Sequence, residues 1–183
     1  WWLVSSPQTI VWRIVFGHWI ELNPYAGGAG VSFDWLHPHV LGVLFSTDHG
    51  LFTWTPLMTP AVLGWLSLWR KDRRLTLLLV LNFVLQLYVI ASWNDWSGSA
   101  AFGQRFFTNM VPAFALGLAA LLTTMQRRIP LRWLATACAF FVVWNGLLIA
   151  RYALEEIPRY GPAPLAELIV GQFTVLPRYL DRI

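Results

Sequence analysis

Four long apolar stretches contain no charged residue and no histidine, and this segregation constrains the fold more than any other feature of the chain. The stretches cover residues 51–69, 75–92, 107–124 and 133–150. Each is close to the roughly 20 residues that an α-helix needs to cross about 30 Å of hydrocarbon. We therefore predict an all-α, polytopic membrane protein with four full transmembrane helices and further helices at the interface.

The composition supports the membrane class. Hydrophobic residues make up 57% of the 183 positions and charged residues only 12%, against about 25% charged residues in an ordinary soluble domain. The mean hydropathy is +0.54 and the isoelectric point is about 9.7. The basic residues cluster in two connections without interleaved aromatic residues, so we expect the lipid bilayer, and no nucleic acid, as a partner.

The basic clusters also predict an orientation. Residues 70–74 join the first two stretches and residues 126–132 join the last two, so both connections lie on one side. Lysine and arginine are retained on the cytoplasmic side of membranes, which places these two loops there. Both flanks and the loop 93–106 should then face away from the cytoplasm.

The chain divides into three predicted segments, which are 1–50, 51–150 and 151–183. The first holds the end of a preceding span and a non-cytoplasmic interfacial and loop segment, because residues 1–4 resemble the tail of an earlier helix. We expect the chain to be a piece of a longer protein. The second segment is the four-helix transmembrane bundle.

Both flanks are predicted to lie at the membrane surface. Aromatic residues at helical spacing indicate an interfacial helix over 7–20, and the glycine-rich run NPYAGGAG at 23–30 indicates a loop. The third segment is an amphipathic, non-cytoplasmic tail. Its apolar piece, 165–176, is too short to cross a bilayer and is expected to pack on the surface.

Histidines and carboxylates before the first stretch form one candidate site. His37 and His39 are two residues apart around a proline, and this spacing allows both rings to bind a divalent metal. Asp48 and His49 follow nearby, and His49 is the stronger functional candidate of the four. The alternative is that these histidines are hydrogen-bonded anchors at the membrane interface.

The outward loop 93–105 forms the second candidate site. Arg105 lies just before a stretch, on the side that normally avoids arginine, and its guanidinium suits a pair of phosphate oxygens. The alternative is a side chain that snorkels at a helix end. Asp95 is a candidate base or acceptor for a sugar hydroxyl, although a solvated loop carboxylate explains it equally.

Three runs carry a resemblance to a known family. The runs are FSTDHGLFTWTP at 45–56, WNDWSGSAAFGQR at 93–105 and PAFALGLA at 112–119. They resemble the carboxy-terminal half of bacterial GT-C glycosyltransferases of the family 39 type, the group of protein O-mannosyltransferases and lipid A aminoarabinose transferases. The chain departs from the family pattern at Phe106, where a second arginine is common, so Arg105 stands alone.

The resemblance implies a function. A GT-C enzyme moves a sugar from a polyprenyl-phosphate donor to a protein or lipid acceptor on the non-cytoplasmic face, here of the bacterial inner membrane. Arg105 would hold the donor phosphate, with Gln104, His49, Asp48 and Asp95 in the outer substrate site. The family's catalytic acid has no counterpart in this sequence. The general base therefore belongs to another part of the parent enzyme, and this chain alone is expected to be inactive.

Other classes of membrane protein remain open. Charge-free spans disfavour a proton-coupled carrier, because proton pathways place ionisable residues inside the membrane. A transporter of an uncharged substrate and a non-enzymatic membrane protein are both compatible with the sequence. An intramembrane hydrolase is disfavoured because no stretch contains a histidine.

Overall fold

The computed structural model describes residues 2–20 and 32–180. These residues form helices and no β-strand, which confirms the all-α class. The predicted loop at 23–30 and the last three residues of the tail lie outside the described residues. The chain divides into two units at the Phe33–Asp34 junction, and each unit is described by itself.

The first unit contains one described helix, α1, which spans Trp2–Phe16. The sequence predicted this helix over 7–20, so the helix begins earlier and ends sooner than expected. Gly17 follows it with a φ of +81°. A left-handed residue after a helix is a common stop, because glycine adopts this conformation without a steric penalty.

The second unit contains the remaining described helices. They are α2 (Val40–Phe45), α3 (Leu51–Trp54), α4 (Met58–Trp69), α5 (Arg73–Ala91), a 3₁₀ helix (Arg105–Met110) that continues into α6 (Val111–Met125), α7 (Leu131–Ala153) and α8 (Leu165–Leu180). Three helices are long and apolar enough to cross a membrane: Arg73–Ala91, Arg105–Met125 and Leu131–Ala153. The four-span prediction is thus confirmed for its last three stretches only.

The first predicted span is interrupted at Pro56. Helix α3 ends at Trp54, and Thr55 adopts a non-helical backbone with φ −130° and ψ 74°. Proline disfavours the helical conformation of the residue before it and has no N–H to donate. Helix α4 restarts at Met58 and contains 12 residues, which cover only about 18 Å.

Helices α4 and α6 run side by side in the same direction and form the centre of the bundle. A Cβ atom on Gly64 would lie 1.8 Å from the Gly117 backbone oxygen, and one on Gly117 would lie 2.1 Å from the Ala61 oxygen. The indole Nε1 of Trp65 donates to the Ala113 carbonyl at 3.0 Å. Small residues therefore allow backbone contact, as in membrane helix pairs generally.

Helix α5 packs on this pair through aromatic and amide side chains. The Phe83 ring lies 5.6 Å from Trp65 and 5.4 Å from Phe107, measured between centroids. Gln86 donates to the Asn109 side-chain oxygen at 2.7 Å and accepts from the Asn109 amide at 3.1 Å. Gln86 and Asn109, two of the few strongly polar residues in the apolar stretches, thus satisfy each other's hydrogen-bonding groups.

Helices α7 and α8 contact each other. Along α7 many large apolar side chains are exposed, among them Phe140, Val142 and Val143. Exposed apolar surface of this extent is expected on a helix that faces lipid. Helix α8 continues beyond the predicted apolar piece 165–176, and its Leu168 is buried.

Candidate functional site

The loop after α5 meets the start of α6 at a cleft of about 170 Å³, which we call the Arg105 cleft. Its polar residues come from the interruption between α3 and α4 and from the 3₁₀ helix. Its lining consists of Thr55, Gln104, Arg105 and Thr108, together with the less polar Leu51, Met58, Phe102, Gly103, Phe107, Val111 and Phe114. Two predicted site residues, Gln104 and Arg105, therefore meet in one cleft.

The loop reaches the cleft through left-handed turns that Asp95 stabilises. Gly98, Ser99 and Gly103 have φ values of +80°, +54° and +58°. The Asp95 carboxylate accepts from the Ser99 backbone N–H at 3.1 Å and from the Ser99 hydroxyl at 2.6 Å. Such bonds from an aspartate to residues just after it are typical of turns. The structure therefore places Asp95 in the frame of the loop, apart from the cleft lining.

Gln104 is buried and leaves one polar atom unsatisfied. Its side-chain amide donates to the Trp96 carbonyl at 2.9 Å, and this bond fixes the side chain. Within the described part of the chain, Gln104 Oε1 has no hydrogen-bond donor. A buried acceptor without a donor costs free energy.

Arg105 is an exposed cation at the rim of the same cleft. Its guanidinium lies 5.1 Å from the centre of the Phe106 ring, and its backbone carbonyl accepts from the Thr108 hydroxyl at 2.6 Å. Among the described residues no carboxylate lies within 4.0 Å of the Arg105 guanidinium. The fork of N–H donors is thus available to an anion, and planar oxygen pairs suit it best.

His49 lies outside the cleft, in a cluster that we call the Trp54 cluster. Its ring is fully buried and stacks on Trp54 at 4.5 Å between centroids, with the edge of Tyr152 6.0 Å away. Phe102 packs against both Trp54 and Tyr152. Because Phe102 also lines the Arg105 cleft, it is the wall between the cluster and the cleft.

The His49 imidazole is held in its neutral form. Burial lowers the pKa of His49 below its usual range, and the Asp48 carboxylate and the Arg159 carbonyl oppose this shift. The His49 Nε2 atom lies 3.7 Å from Asp48 Oδ1, beyond hydrogen-bond distance. Within the described residues neither ring nitrogen makes a hydrogen bond of normal geometry, and the Arg159 carbonyl is only a weak polar neighbour of the ring. The ring therefore packs as an aromatic group, and it does not line the cleft.

The two histidines predicted as metal ligands have other neighbours. His37 Nδ1 lies 3.1 Å from Asp34 Oδ2, and this hydrogen bond lowers the pKa of the exposed Asp34 carboxyl. His39 stacks on Trp96 at 5.8 Å between centroids. Over residues 2–20 and 32–180, no group of three or more metal-binding side chains comes together.

Sequence reasoning missed a buried arginine at the end of α7. Arg151 is 2% exposed, its Nε lies 3.3 Å from Glu156 Oε2, and its Nη1 donates to the Glu167 carbonyl at 3.0 Å. A Cβ atom on Gly171 would lie 2.2 Å from this guanidinium. Arg151 thus ties α8 to α7. An arginine at the end of an apolar stretch, with a glutamate five residues later, was the available signal.

No family model, curated protein or solved structure matches this chain.

Proposed function

We propose that this chain is part of an integral membrane glycosyltransferase of the GT-C type, which moves a sugar from a polyprenyl-phosphate donor to a protein or lipid acceptor. The observation that carries the proposal is the composition of the Arg105 cleft. A guanidinium without an ion-pair partner among the described residues stands at its rim. Its walls include apolar residues of α4 and α6, namely Met58, Val111 and Phe114. A polyprenyl phosphate has the same division between an anionic head and an apolar tail.

Each polar group of the cleft has a place in this proposal. The Arg105 guanidinium binds two phosphate oxygens, which charge-assisted pairs of this geometry favour. Gln104 forms part of the cleft wall and is held there by its bond to the Trp96 carbonyl. The Thr55 hydroxyl lies at the same opening and adds a further donor. The Thr108 hydroxyl already donates to the Arg105 carbonyl, so it acts there as an acceptor.

The other predicted substrate-site residues act on the cleft indirectly in this proposal. Asp95 holds the loop that presents Gln104, through its bonds to Ser99. His49 supports Phe102, the wall of the cleft, by stacking on Trp54. Asp48 lies beside the buried imidazole. The general base of the transfer belongs to another part of the parent enzyme.

The proposal includes the orientation and the number of crossings. The Arg105 cleft faces the non-cytoplasmic side of the bacterial inner membrane, and the loops 70–74 and 126–132 face the cytoplasm. In addition to the three long helices, α3 and α4 together make one crossing, which is the first in chain order. The interruption at Thr55 faces the cleft. Interrupted helices occur at membrane depth where the freed backbone lines a cavity.

Binding of a lipid-linked phosphate tests the proposal without requiring the missing part of the enzyme. The chain is reconstituted in nanodiscs, and retention of undecaprenyl phosphate is compared with that of undecaprenol by native mass spectrometry. We expect Arg105→Ala to weaken undecaprenyl phosphate binding by about 10- to 100-fold, because hydrogen bonds to charged groups are worth roughly 1.5–3 kcal/mol.

The matched control is Arg159→Ala. Arg159 is also exposed, but it pairs with Glu155 and does not line the cleft. We expect this variant to bind like the unaltered chain. Equal binding of undecaprenol and undecaprenyl phosphate by the unaltered chain would rule out the phosphate role of Arg105, and so would equal losses in the two variants.

A further inference from the structure

A second cleft, of about 410 Å³, lies at the other ends of α4 and α6, and we call it the basic cleft. Its lining contains Leu66, three cationic side chains and three hydroxyl side chains. The cations are Arg70, Lys71 and Arg127, and the hydroxyl residues are Ser67, Thr123 and Thr124. None of these residues belongs to the Arg105 cleft. The inference drawn from them is therefore independent of the function proposed above.

Close packing of α4 and α6 brings the three cations together. The helices run in the same direction and touch at Gly64 and Gly117, so their carboxyl ends emerge side by side. Arg70 follows α4 directly, and Arg127 follows α6 by two residues. Two basic connections that are distant in sequence thus converge on one opening.

The three cations have no anionic partner in the described parts of the chain. No carboxylate lies within 4.0 Å of the nitrogen atoms of Arg70, Lys71 or Arg127. Asp72 is the carboxylate nearest in sequence, and its side chain accepts from the Leu75 backbone N–H as the cap of α5. Three like charges around one opening repel each other, so an anion bound among them would be stabilised.

An apolar groove adjoins the basic cleft. The groove has a volume of about 270 Å³, lies between α4 and α5, and shares Leu66 with the cleft. Its other walls include Leu63, Trp69 and Val80, all of which are exposed. Cationic and apolar surfaces are therefore contiguous, and a soluble anion would occupy only the cationic part.

We propose that the basic cleft and the adjoining groove bind one anionic phospholipid. The phosphodiester lies among Arg70, Lys71 and Arg127, and an acyl chain lies in the groove against Leu66 and Val80. Basic pockets between transmembrane helices bind such headgroups in membrane proteins. The hydroxyls of Thr123 and Thr124 donate to carbonyls of their own helix, so the cations supply the main attraction.

Two general effects also place cations here. Lysine and arginine are enriched in cytoplasmic loops, and cations near a helix carboxyl end interact favourably with its carbonyls. The first effect acts on every basic residue of the two connections, and the second acts on those that follow α4 and α6. A specific lipid site predicts instead that only the residues lining the cleft matter, and the two sets can be separated by mutation.

Measurement of lipid retention by the full chain distinguishes a specific lipid site from the general attraction of basic residues to the membrane surface. The chain is reconstituted in nanodiscs that contain phosphatidylglycerol and phosphatidylcholine with identical acyl chains, and retained lipid is counted by native mass spectrometry. The cleft variant is Arg70→Gln with Arg127→Gln. The control, Arg74→Gln with Arg128→Gln, removes the same charge from the first turn of α5 and from the connection after α6, both outside the cleft lining. We expect the cleft variant to reduce the preference for phosphatidylglycerol on the order of tenfold, and the control to retain it.

A second pair of variants tests the groove and does not alter charge. Val80→Trp fills the groove, whereas Val84→Trp adds the same volume one turn later on α5, outside the groove lining. We expect only Val80→Trp to reduce phosphatidylglycerol retention, by several-fold. The thermal midpoint in phosphatidylcholine confirms that each variant is folded.

Several results would overturn the proposal. One is an equal loss of preference in the cleft variant and its control, which would show diffuse attraction to the membrane surface. Another is retained preference in both the cleft variant and Val80→Trp. A third is complete displacement of phosphatidylglycerol by millimolar inorganic phosphate, which would identify a soluble phosphate as the ligand.

Discussion

His49 combines a left-handed backbone with full burial, and among the described residues neither of its ring nitrogens makes a hydrogen bond of normal geometry. Its φ is +61°, a left-handed conformation in which histidine is more common than most residues. The ring stacks on Trp54, so its contribution is that of an aromatic packing group. The same ring is titratable, and burial in the Trp54 cluster lowers its pKa.

Replacement of His49 separates packing from polarity. We expect His49→Ala to lower the free energy of unfolding by about 2–4 kcal/mol, since loss of a buried aromatic ring leaves a cavity. His49→Phe keeps the stacked ring and removes both unsatisfied nitrogens, so it should change stability by less than about 1.5 kcal/mol. Thermal unfolding in detergent measures both. A larger loss in the phenylalanine variant would contradict a pure packing role.

The lowered pKa of His49 predicts a pH dependence of stability. Below about pH 6.5 an unfolded histidine binds a proton that the folded one does not, so stability falls as pH decreases from 6.5 toward the folded pKa. Above this window His49 contributes no slope. We expect the thermal midpoint of unfolding to decrease when the pH is lowered from 7.5 to 5.5. The decrease should be smaller in His49→Phe.

At the scale of elements, the α4–α6 contact determines the arrangement of both clefts. The amino ends of these helices border the Arg105 cleft, and their carboxyl ends border the basic cleft. Backbone contact at Gly64 and Gly117 sets the distance between them. A change in this distance would alter both openings at once.

Alanine at the contact tests this dependence. We expect Gly64→Ala or Gly117→Ala to destabilise the bundle by at least about 1–3 kcal/mol, the usual cost of overpacking, because each Cβ atom would overlap a backbone carbonyl. Gly146→Ala on α7 is the control. Its Cβ atom would meet nothing within 4 Å, so the variant should gain about 0.5–1 kcal/mol of helix stability. Equal effects at the three glycines would argue against close packing.

At the scale of the whole molecule, the interruption at Pro56 makes the side on which residues 47 and 71 lie the test of the proposed crossing by α3 and α4. If α3 and α4 together cross the bilayer, residues before and after them are on opposite sides. We predict that Thr47→Cys and Ser97→Cys are labelled from the non-cytoplasmic side and Lys71→Cys from the cytoplasmic side. The variants are made in a Cys138→Ala background and treated with a membrane-impermeant maleimide before and after permeabilisation.

The labelling pattern distinguishes the two arrangements. Labelling of Thr47→Cys and Lys71→Cys from the same side would show that the segment 51–69 does not cross. The crossings would then be the three helices that are long and apolar enough to span a membrane by themselves. Ser97→Cys controls for the integrity of the membrane, because α5 separates it from Lys71.

The sequence alone determined the helical class and the approximate positions of α5, α6 and α7. Apolar stretches of about 18 residues without charge can satisfy their backbone in lipid only as helices, and three of the four became helices of sufficient length. The interruption at Pro56 was also encoded locally, since a proline restricts the residue before it. This signal was outweighed in the prediction by the continuous hydrophobicity of the stretch.

The tertiary structure alone decided which polar residues share a site. Gln104 and Arg105 line one cleft because the loop turns at Gly98 and Gly103, whereas His49 is turned into an aromatic cluster. The burial of Arg151 depends on α8 folding back onto α7. Hydropathy indicates whether a segment lies in lipid or in water. It carries little information about contacts between segments that are distant in sequence. Those contacts depend on the close approach of Gly64 to Gly117 and on the packing of helices around it.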